Sequence, residues 1–243
     1  MDILFDKKRK QQSAVEYMMS CFSELLMQHK LKPGDLLPNE NNLAESMGIS
    51  RGTVREGMKI LSAFGIVDIK RGDGTYISTT IGDTLLDPFL LSLIMNKHDI
   101  REMVEFRQMI ELSVVSLVVK NNNENNLSEL TEAIEFMKEK VETNEAISPK
   151  KWAEVDIAFH HALGKATGNR LIDKLYRFVI RFFAESIERS YQKENNPENA
   201  YTLHRDIYEA ILGRDENKAL AAIMVSITGW EKQYMEGNSH EDY

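Results

Sequence analysis

Near the start of the chain, the hydrophobic residues follow helical spacing. From Ser13 to Lys30, apolar side chains recur at steps of three and four, which places them on one face of an amphipathic helix. The sequence Lys-Pro-Gly-Asp at 32–35 then favours a turn, because proline and glycine interrupt a helix. The pattern predicts a first helix over 13–30.

Two shorter helices are predicted after this turn. Asn39 and Ser50 each precede a run with helical spacing, and both residue types cap helix N-termini. The runs 40–47 and 51–64 are each followed by a glycine, which tolerates the left-handed backbone found at helix ends. These signals predict two capped helices separated by only a few residues.

Strand spacing replaces helical spacing beyond these helices. Residues 66–69 alternate between apolar and polar, residues 75–77 form a second short run, and Gly72-Asp73-Gly74 provides the glycines of a tight reversal. The order helix, helix, turn, helix, hairpin is that of a winged helix-turn-helix with a small β-hairpin wing. We predict such a DNA-binding domain over residues 1–80.

From residue 81 onwards, the hydrophobic period stays near 3.6 residues. Polar and Pro/Gly segments interrupt it, which predicts a C-terminal all-α bundle of six to seven helices over residues 81–243, without strands. The fold class is then mainly α. We interpret the polar run Asn121–Asn126 as an exposed loop.

The net charge of -8 argues at first against a nucleic-acid partner, since lysine and arginine supply much of the affinity for phosphate. The charge is unevenly distributed, however. Residues 1–80 hold 11 Lys/Arg and 10 Asp/Glu, whereas residues 81–243 hold 19 and 28. The acidity belongs to the C-terminal part, so a local basic face near the N-terminus remains compatible with DNA binding.

The cellular compartment follows from what the sequence lacks. Cys21 is the only cysteine, so an intrachain disulfide is impossible and a reducing compartment fits. The sequence contains neither a secretion signal nor an apolar stretch of about 18 residues that would span a membrane. We expect a cytoplasmic protein.

The start of the second capped helix carries residue types that bind DNA. A recognition helix presents its N-terminal side chains to the major groove, where arginine contacts guanine or phosphate and hydroxyl groups bind phosphate oxygens. The candidates are Ser50, Arg51, Thr53, Arg55 and Lys59 in the helix, and Arg71 and Gly72 in the wing. Spacing alone also allows ordinary solvated charges at a capped helix.

The motifs around these candidates resemble the signature of GntR-type bacterial regulators. The matching segments, all within residues 31–75, are Leu31–Asp35, Leu37–Glu40, Leu43–Ala44, Gly48–Arg51, Thr53–Glu56 and Arg71–Thr75. The resemblance implies operator contacts by Ser50, Arg51, Thr53, Arg55, Arg71 and Gly72. The sequence departs from the family at Asn41, where some members have a basic residue, and at Gly52, where a hydroxyl or bulkier residue is usual.

A candidate metal site lies in the C-terminal part. Asp156 and His160 are four residues apart in a predicted helix, so a carboxylate and an imidazole share one face and can bind one cation. His204 offers a third ligand from a later helix, as in the metal sites of helical bundles. A surface pair or a core histidine is the more frequent explanation of such an i,i+4 pair.

This part resembles the helical, FCD-type sensor domain of the FadR branch. The matching residues are Glu105–Arg107, Glu111, Asp156–His160, Thr167–Asn169, His204 and Ile207. The resemblance implies a divalent metal ion, zinc, nickel or manganese, held by one Asp and three His, with a small organic acid against it. Asp156, His160 and His204 match three ligands, but Ser226 stands at the fourth position. Water or the effector then completes the coordination, or the pocket works without metal, because a hydroxyl is a poorer ligand than imidazole.

Arg107 is the candidate for binding the effector. A guanidinium forms a bidentate pair with a carboxylate, and the resemblance implies that this arginine faces the pocket. The alternative is a surface charge paired with Glu111, four residues later. His161 points about 100° away from His160 around the helix and is not a predicted ligand.

Together these features predict a ligand-responsive transcriptional regulator and not an enzyme. We expect a homodimeric repressor of carboxylate or sugar-acid metabolism that binds double-stranded operator DNA. A metal-dependent hydrolase using Asp156, His160 and His204 is the alternative, since such ligand sets also occur in enzymes. The sequence contains no HExxH, GxSxG or P-loop motif. A protein-interaction module is the third possibility, which the segment from Ser50 to Arg55 does not favour.

Overall fold

The computed structural model describes residues 13–79, 93, 95, 98–143, 147–192 and 196–238. The chain divides into two compact units, Met1–Pro88 and Phe89–Tyr243. The predicted domain boundary between residues 80 and 81 falls outside the described residues.

The N-terminal unit has the predicted element order. Its elements are α1 (Ala14–Met27), α2 (Glu40–Met47), α3 (Arg51–Ala63), β1 (Val67–Lys70) and β2 (Gly74–Ile77). Ser13, Asn39 and Ser50 cap the three helices, each through its side-chain oxygen. The first helix ends three residues earlier than predicted, and His29 has left-handed backbone with φ of 55°.

The core of this unit joins α1 to α3 and to the hairpin. Met18 of α1 is fully buried against α3, where Gly57 leaves room for it. A Cβ atom at Gly57 would lie 2.5 Å from the sulfur of Met18, so a larger residue there would force the Met18 side chain to move. Helix α3 thus packs against α1 at this position, and it also contacts α2 and β1.

The wing is a two-stranded antiparallel hairpin. Val67 pairs with Ile77 and Lys70 with Gly74, and Gly72 has a φ of +78° in the reversal between the strands. Leu36 adds an isolated bridge to Tyr76 from the segment before α2, which the sequence pattern did not indicate. This bridge ties the base of the wing to the helix-turn-helix.

The described part of the C-terminal unit contains six helices and no strand, in agreement with the predicted bundle. They are α4 (Ile100–Lys120), α5 (Glu124–Glu142), α6 (Pro149–Ala166), α7 (Arg170–Ser190), α8 (Asn196–Leu212) and α9 (Glu216–Asn238). Helix α6 packs against α5 and α7, while α9 packs against α4 and α8. Helix α8 also contacts α5 and α6, so side chains of α6 and α8 can meet inside the bundle.

The polar run Asn121–Asn126 differs in part from the prediction. Asn121 and Asn123 are exposed, as expected of a loop, but residues 124–126 form the first turn of α5. The side chain of Asn121 donates to the carbonyl of Thr167, and that of Asn122 donates to the carbonyl of Ile211. The run thus satisfies carbonyl groups at the ends of α6 and α8, where the helices themselves provide no donors.

Candidate nucleic-acid interface and candidate metal centre

The start of α3 is organised by two hydroxyl groups. Ser50 accepts a hydrogen bond from the backbone N–H of Thr53 at 3.0 Å, and the two side-chain oxygens lie 2.9 Å apart. Helix α2 ends at Gly48, whose left-handed backbone (φ 66°, ψ 31°) lets the chain turn directly into α3. The cap and the turn together position the first residues of α3 at the surface.

Three cations follow along one face of this helix. Arg51, Arg55 and Lys59 are all exposed, and their spacing of four residues keeps them in one row. Val54 and Met58 of the same helix are buried, whereas these three cations are not. The amphipathic pattern therefore directs the cations into solvent.

Arg55 has a partner that the sequence reasoning missed. Its Nη2 lies 3.0 Å from the carboxylate of Glu40 on α2, with both side chains substantially exposed. The hydrogen bond to Glu40 raises the pKa of Arg55. The two residues are 15 positions apart, so no helical periodicity could have indicated the pair.

The two wing candidates lie at the tip of the hairpin. Arg71 and Gly72 are both exposed. The ammonium of Lys70 lies 4.7 Å from the ring centre of Tyr76, so this neighbouring cation packs along the strand. Lys70 and Arg71 are both exposed, and Arg71 is the one next to Gly72 in the reversal.

In the C-terminal unit, the three predicted metal ligands converge. Asp156 and His160 of α6 and His204 of α8 each offer a ligand atom, and these atoms all lie within 4.8 Å of one another. Nε2 of His160 is 3.3 Å from Oδ1 of Asp156, and Nε2 of His204 is 3.9 Å from Oδ2. All three side chains are buried.

Two tyrosine hydroxyls contact these candidate ligands from α7 and its C-terminal cap, and the sequence reasoning did not identify them. The hydroxyl of Tyr176 is 2.7 Å from Nδ1 of His160, and Tyr191 donates to Oδ2 of Asp156 at 2.6 Å. Both tyrosines belong to α7 or its C-terminal cap. Each ligand from α6 is therefore held by a hydrogen bond from the neighbouring helix.

The ionisation of the cluster suits cation binding. Burial lowers the pKa of His204 to about 4, despite the nearby Asp156, so the imidazole is neutral near pH 7. Burial alone would raise the pKa of Asp156, but His204 and hydrogen bonds from His160 and Tyr191 outweigh it and lower the pKa. At neutral pH the cluster offers a carboxylate and neutral imidazole.

Arg107 forms the predicted i,i+4 pair with Glu111, but the pair is not on the surface. Nε of Arg107 lies 3.0 Å from Oε1 of Glu111, and the two side chains are 4% and 0% exposed. The guanidinium carbon lies 4.9 Å from the ring centre of Trp230. A buried ion pair of this kind explains the residue better than a surface helix charge.

One cavity joins Arg107 to the candidate metal ligands. It has a volume of about 60 Å³, and its lining includes Arg107, Asp156, His160, His204 and Ser226. Ser226, at the position where the family pattern has a fourth histidine, is thus part of the same wall. Arg107 makes its one hydrogen bond to the described residues through Nε, so its terminal amino groups remain for a ligand.

The residues present fit a divalent cation. Two imidazoles and one carboxylate are a ligand set that zinc and related ions favour. Nδ1 of His204 is buried and has no hydrogen-bond partner among the described residues, so the cluster includes a buried nitrogen whose bonding capacity is unused. The arrangement can therefore hold a metal with at least one coordination position left for water or an effector.

The surrounding aromatic residues are largely in the core. Phe159 stacks on His204 with ring centres 4.2 Å apart, and Phe178 and Phe183 are buried. Phe182 is the exception, because it is half-buried and lines a surface groove together with Phe106.

Within the described helices, none is both long and apolar enough to cross a membrane.

Comparison with known proteins gives the family. Residues 22–77 match the model of the bacterial regulatory proteins of the gntR family, and residues 102–228 match the FCD domain. The HTH-type transcriptional regulator LutR of Bacillus subtilis (strain 168) is 31% identical, over 83% of this chain and 92% of LutR. The Glc operon transcriptional activator of Escherichia coli (strain K12) is 24% identical, over 82% of this chain and 80% of that protein.

A solved structure supports the same assignment. The chain described as Streptococcus agalactiae GntR has a TM-score of 0.61 and 25% sequence identity, and the match covers 90% of this chain and 99% of that one. Two family models and a relative above 30% identity agree with the observed winged helix-turn-helix and helical bundle. The chain belongs to the GntR family of bacterial regulatory proteins, in its FadR-like branch with an FCD domain, and is a ligand-responsive, DNA-binding transcriptional regulator.

Proposed function

We propose that this regulator is a homodimeric repressor whose operator affinity is controlled by a short-chain carboxylate bound next to a divalent metal ion. The proposed operator contacts are Ser50, Arg51, Thr53, Arg55, Lys59, Arg71 and Gly72. The proposed metal ligands are Asp156, His160 and His204, and Arg107 is the proposed effector ligand. The domain boundary near residue 80 is part of the same proposal.

The single observation that carries the sensor part is the shared cavity. A positive guanidinium and a cluster of candidate metal ligands line the same cavity, although Arg107 lies on α4 and the others lie on α6 and α8. A carboxylate can therefore pair with Arg107 while another oxygen of the same molecule faces the metal position. Neither group alone would favour an organic acid so specifically.

The volume of the cavity favours a small acid as the effector. About 60 Å³ corresponds to roughly four or five water-sized groups. This volume fits an acid of about two or three carbons and is too small for a sugar acid unless the side chains around it move. We therefore favour a short hydroxy or keto acid over the wider class of sugar acids.

The DNA part of the proposal rests on the exposed row of cations on α3. Arg51 and Arg55 stand in the first turns of a helix whose N-terminus and neighbouring hydroxyl groups also favour phosphate. Two such helices in a homodimer would meet operator half-sites about one DNA turn apart. The effector acts by binding one arrangement of the two DNA-binding domains more tightly than the other.

A metal-dependent hydrolase would use the same three ligands but would need access for its substrate and a base near the metal. The ligands are buried, and the neighbouring carboxylate of Glu111 is already paired with Arg107. The named relatives reported above are transcriptional regulators. Regulation is the function that these observations support best.

Two measurements test the proposal. Selection from a random DNA library should enrich a palindromic sequence with the wild-type protein and none with Arg51→Ala/Arg55→Ala, whereas Arg205→Ala, which removes a half-buried cation of α8, should behave as wild type. A thermal-shift panel of acetate, glycolate, lactate, pyruvate and glucuronate, with and without chelator, should then show stabilisation by the short acids only. Failure to enrich any sequence would contradict the regulatory function, and stabilisation by glucuronate alone would contradict the size argument.

A further inference from the structure

Close packing of α6 and α7 places the hydroxyl of Tyr176 next to His160. The side chain is fully buried on α7, and its hydroxyl is 2.7 Å from Nδ1 of His160 on α6. Gly164 of α6 provides the space, because a Cβ atom there would lie 2.9 Å from the Tyr176 ring. The two helices approach closely enough for the hydroxyl to reach the histidine from the side opposite the cavity.

Glu111 is the second group on that side of His160. Its Oε1 accepts from Arg107 and lies 3.9 Å from Nδ1 of His160. Its Oε2 is buried and has no hydrogen-bond partner among the described residues. A buried carboxylate oxygen without a hydrogen-bond donor destabilises the fold. A nearby hydroxyl that rotates toward Glu111 and donates to it would remove this penalty.

The hydroxyl of Tyr176 has one proton and two acceptors in its surroundings. Burial, followed by the neighbouring charge of Glu111, raises the pKa of Tyr176 well above its ordinary value, so the hydroxyl keeps its proton. The proton can point to Nδ1 of His160 or to the carboxylate of Glu111. Each choice dictates which nitrogen of the histidine carries hydrogen, because a neutral imidazole has one donor and one acceptor.

The first arrangement suits His160 before a cation binds. Tyr176 donates to Nδ1, so the hydrogen of the ring lies on Nε2 and points to Asp156, whose Oδ1 is 3.3 Å away. The second arrangement suits a bound cation, which needs the lone pair of Nε2. Nδ1–H then donates to the Tyr176 oxygen, and the hydroxyl turns its proton to Glu111.

We propose that Tyr176, with Glu111 as its acceptor, is a positioning residue that lets His160 exchange tautomers when a metal ion binds. This inference rests on the metal site of the proposed function. One ring N–H and one tyrosine O–H are present in both arrangements, so the exchange moves a proton between the ring nitrogens without adding or removing one. Glu111 also accepts a hydrogen bond from Arg107. The same carboxylate therefore contacts both Arg107, the proposed effector-binding residue, and the Tyr176 hydroxyl that positions His160.

The first test is the affinity for zinc, measured by calorimetric competition with a chelator on the full-length protein. Tyr176→Phe removes the hydroxyl, and we expect about 10- to 100-fold weaker binding, as for the loss of other groups that orient metal-bound histidines. Tyr208→Phe is the matched control, because it removes a hydroxyl that bonds to Thr131 and leaves the cavity lining unchanged. The control should bind zinc like the wild type.

The second test reads the tautomer itself. Nitrogen NMR of protein labelled at its six histidines, with His160→Gln used to assign the signals, reports which ring nitrogen carries hydrogen. In the wild type we expect Nε2–H without zinc and Nδ1–H with zinc. In folded Tyr176→Phe without zinc, the preference for Nε2–H should be lost, an effect that a purely structural role of the ring would not produce.

The outcomes separate the two proposals. A wild type that binds zinc, but with Tyr176→Phe binding equally well or with His160 already in the Nδ1–H form without zinc, overturns the tautomer exchange and leaves the metal site intact. A folded wild type that takes up neither zinc nor cobalt overturns both. Weak binding by Tyr176→Phe, together with the tautomer change in the wild type, supports the inference.

Discussion

Two arginine–glutamate pairs show how differently the two units use the same chemistry. In the N-terminal unit, Arg55 and Glu40 lie 3.0 Å apart with side chains 58% and 38% exposed. In the C-terminal unit, Arg107 and Glu111 lie at the same distance with side chains 4% and 0% exposed. Distance alone therefore says little about what either pair does.

The difference lies in the cost of separating the charges. Water replaces the partner of an exposed cation, so Arg55 can leave Glu40 and bind a phosphate or a base with little loss. A buried glutamate without its arginine has no such replacement. Exposure therefore lets Arg55 exchange Glu40 for DNA. Burial instead holds Arg107 in a fixed position, where a ligand entering the cavity can bind it.

The largest expected effect comes from breaking the buried pair. Arg107→Leu leaves the carboxylate of Glu111 buried and unpaired, so the free energy of unfolding in urea should fall by about 3–5 kcal/mol. Arg101→Leu is a matched control on the same helix, because Arg101 pairs with Glu105 at the same spacing but in solvent. It should unfold like the wild type.

A double variant sharpens this comparison. Arg107→Leu/Glu111→Leu removes both charges and should be more stable than Arg107→Leu alone, since no unpaired charge remains. If Arg101→Leu and Arg107→Leu lost the same free energy of unfolding, burial would not make the Arg107–Glu111 pair harder to break than the Arg101–Glu105 pair.

The next largest effect concerns the metal ligands. Asp156→Asn keeps the shape of the side chain but removes its charge, so zinc binding should weaken by more than about 100-fold. Elemental analysis after dialysis should find zinc in the wild type and none in the variant. Asp173→Asn, which alters an acidic residue paired with Arg177, should retain the metal.

Loss of an operator contact should be smaller and should appear only in DNA binding. Arg55→Ala should weaken binding to the selected operator by about 10- to 100-fold, measured by fluorescence anisotropy, if Arg55 contacts a base. Lys59→Ala should weaken binding to any sequence and reduce the salt dependence by about one unit of slope. Equal affinity of Arg55→Ala and wild type for the operator would remove Arg55 from the interface.

The smallest predicted effect comes from the partner of Arg55. Glu40→Gln removes a carboxylate that competes with DNA for the guanidinium, so operator binding at low salt should tighten by about two- to fivefold. The gain should disappear in the Arg55→Ala background. Weaker binding by Glu40→Gln would instead mean that Glu40 orients Arg55 for the groove.

The elements and the convergence of Asp156, His160 and His204 were predictable because their signals are local or family-wide. Ser50 is a cap directly before a periodic helix, and Asp156 and His160 share a helical face. His204 was identified from the family pattern and from the chemistry of helical bundles. Patterns of this kind survive in the sequence because the helix period fixes which side chains share a face.

The supporting residues could not be predicted in the same way. Glu40, Tyr176 and Tyr191 reach their partners across helix–helix contacts, at 15, 16 and 35 positions of separation. Nothing in a single sequence marks which tyrosine faces which histidine. The spacing of Arg107 to Glu111 did not indicate burial either, since an exposed pair has the same spacing, and only the family resemblance pointed to the pocket.

The most direct test of the account is whether the cavity controls the DNA-binding face. Anisotropy of a labelled, selected operator should be measured with zinc-loaded protein, with and without the short acid that stabilises it most. The account predicts that the acid weakens operator binding by wild type, while His204→Gln binds the operator equally well with and without the acid. Operator affinity that responds to the acid in His204→Gln as it does in the wild type would contradict it.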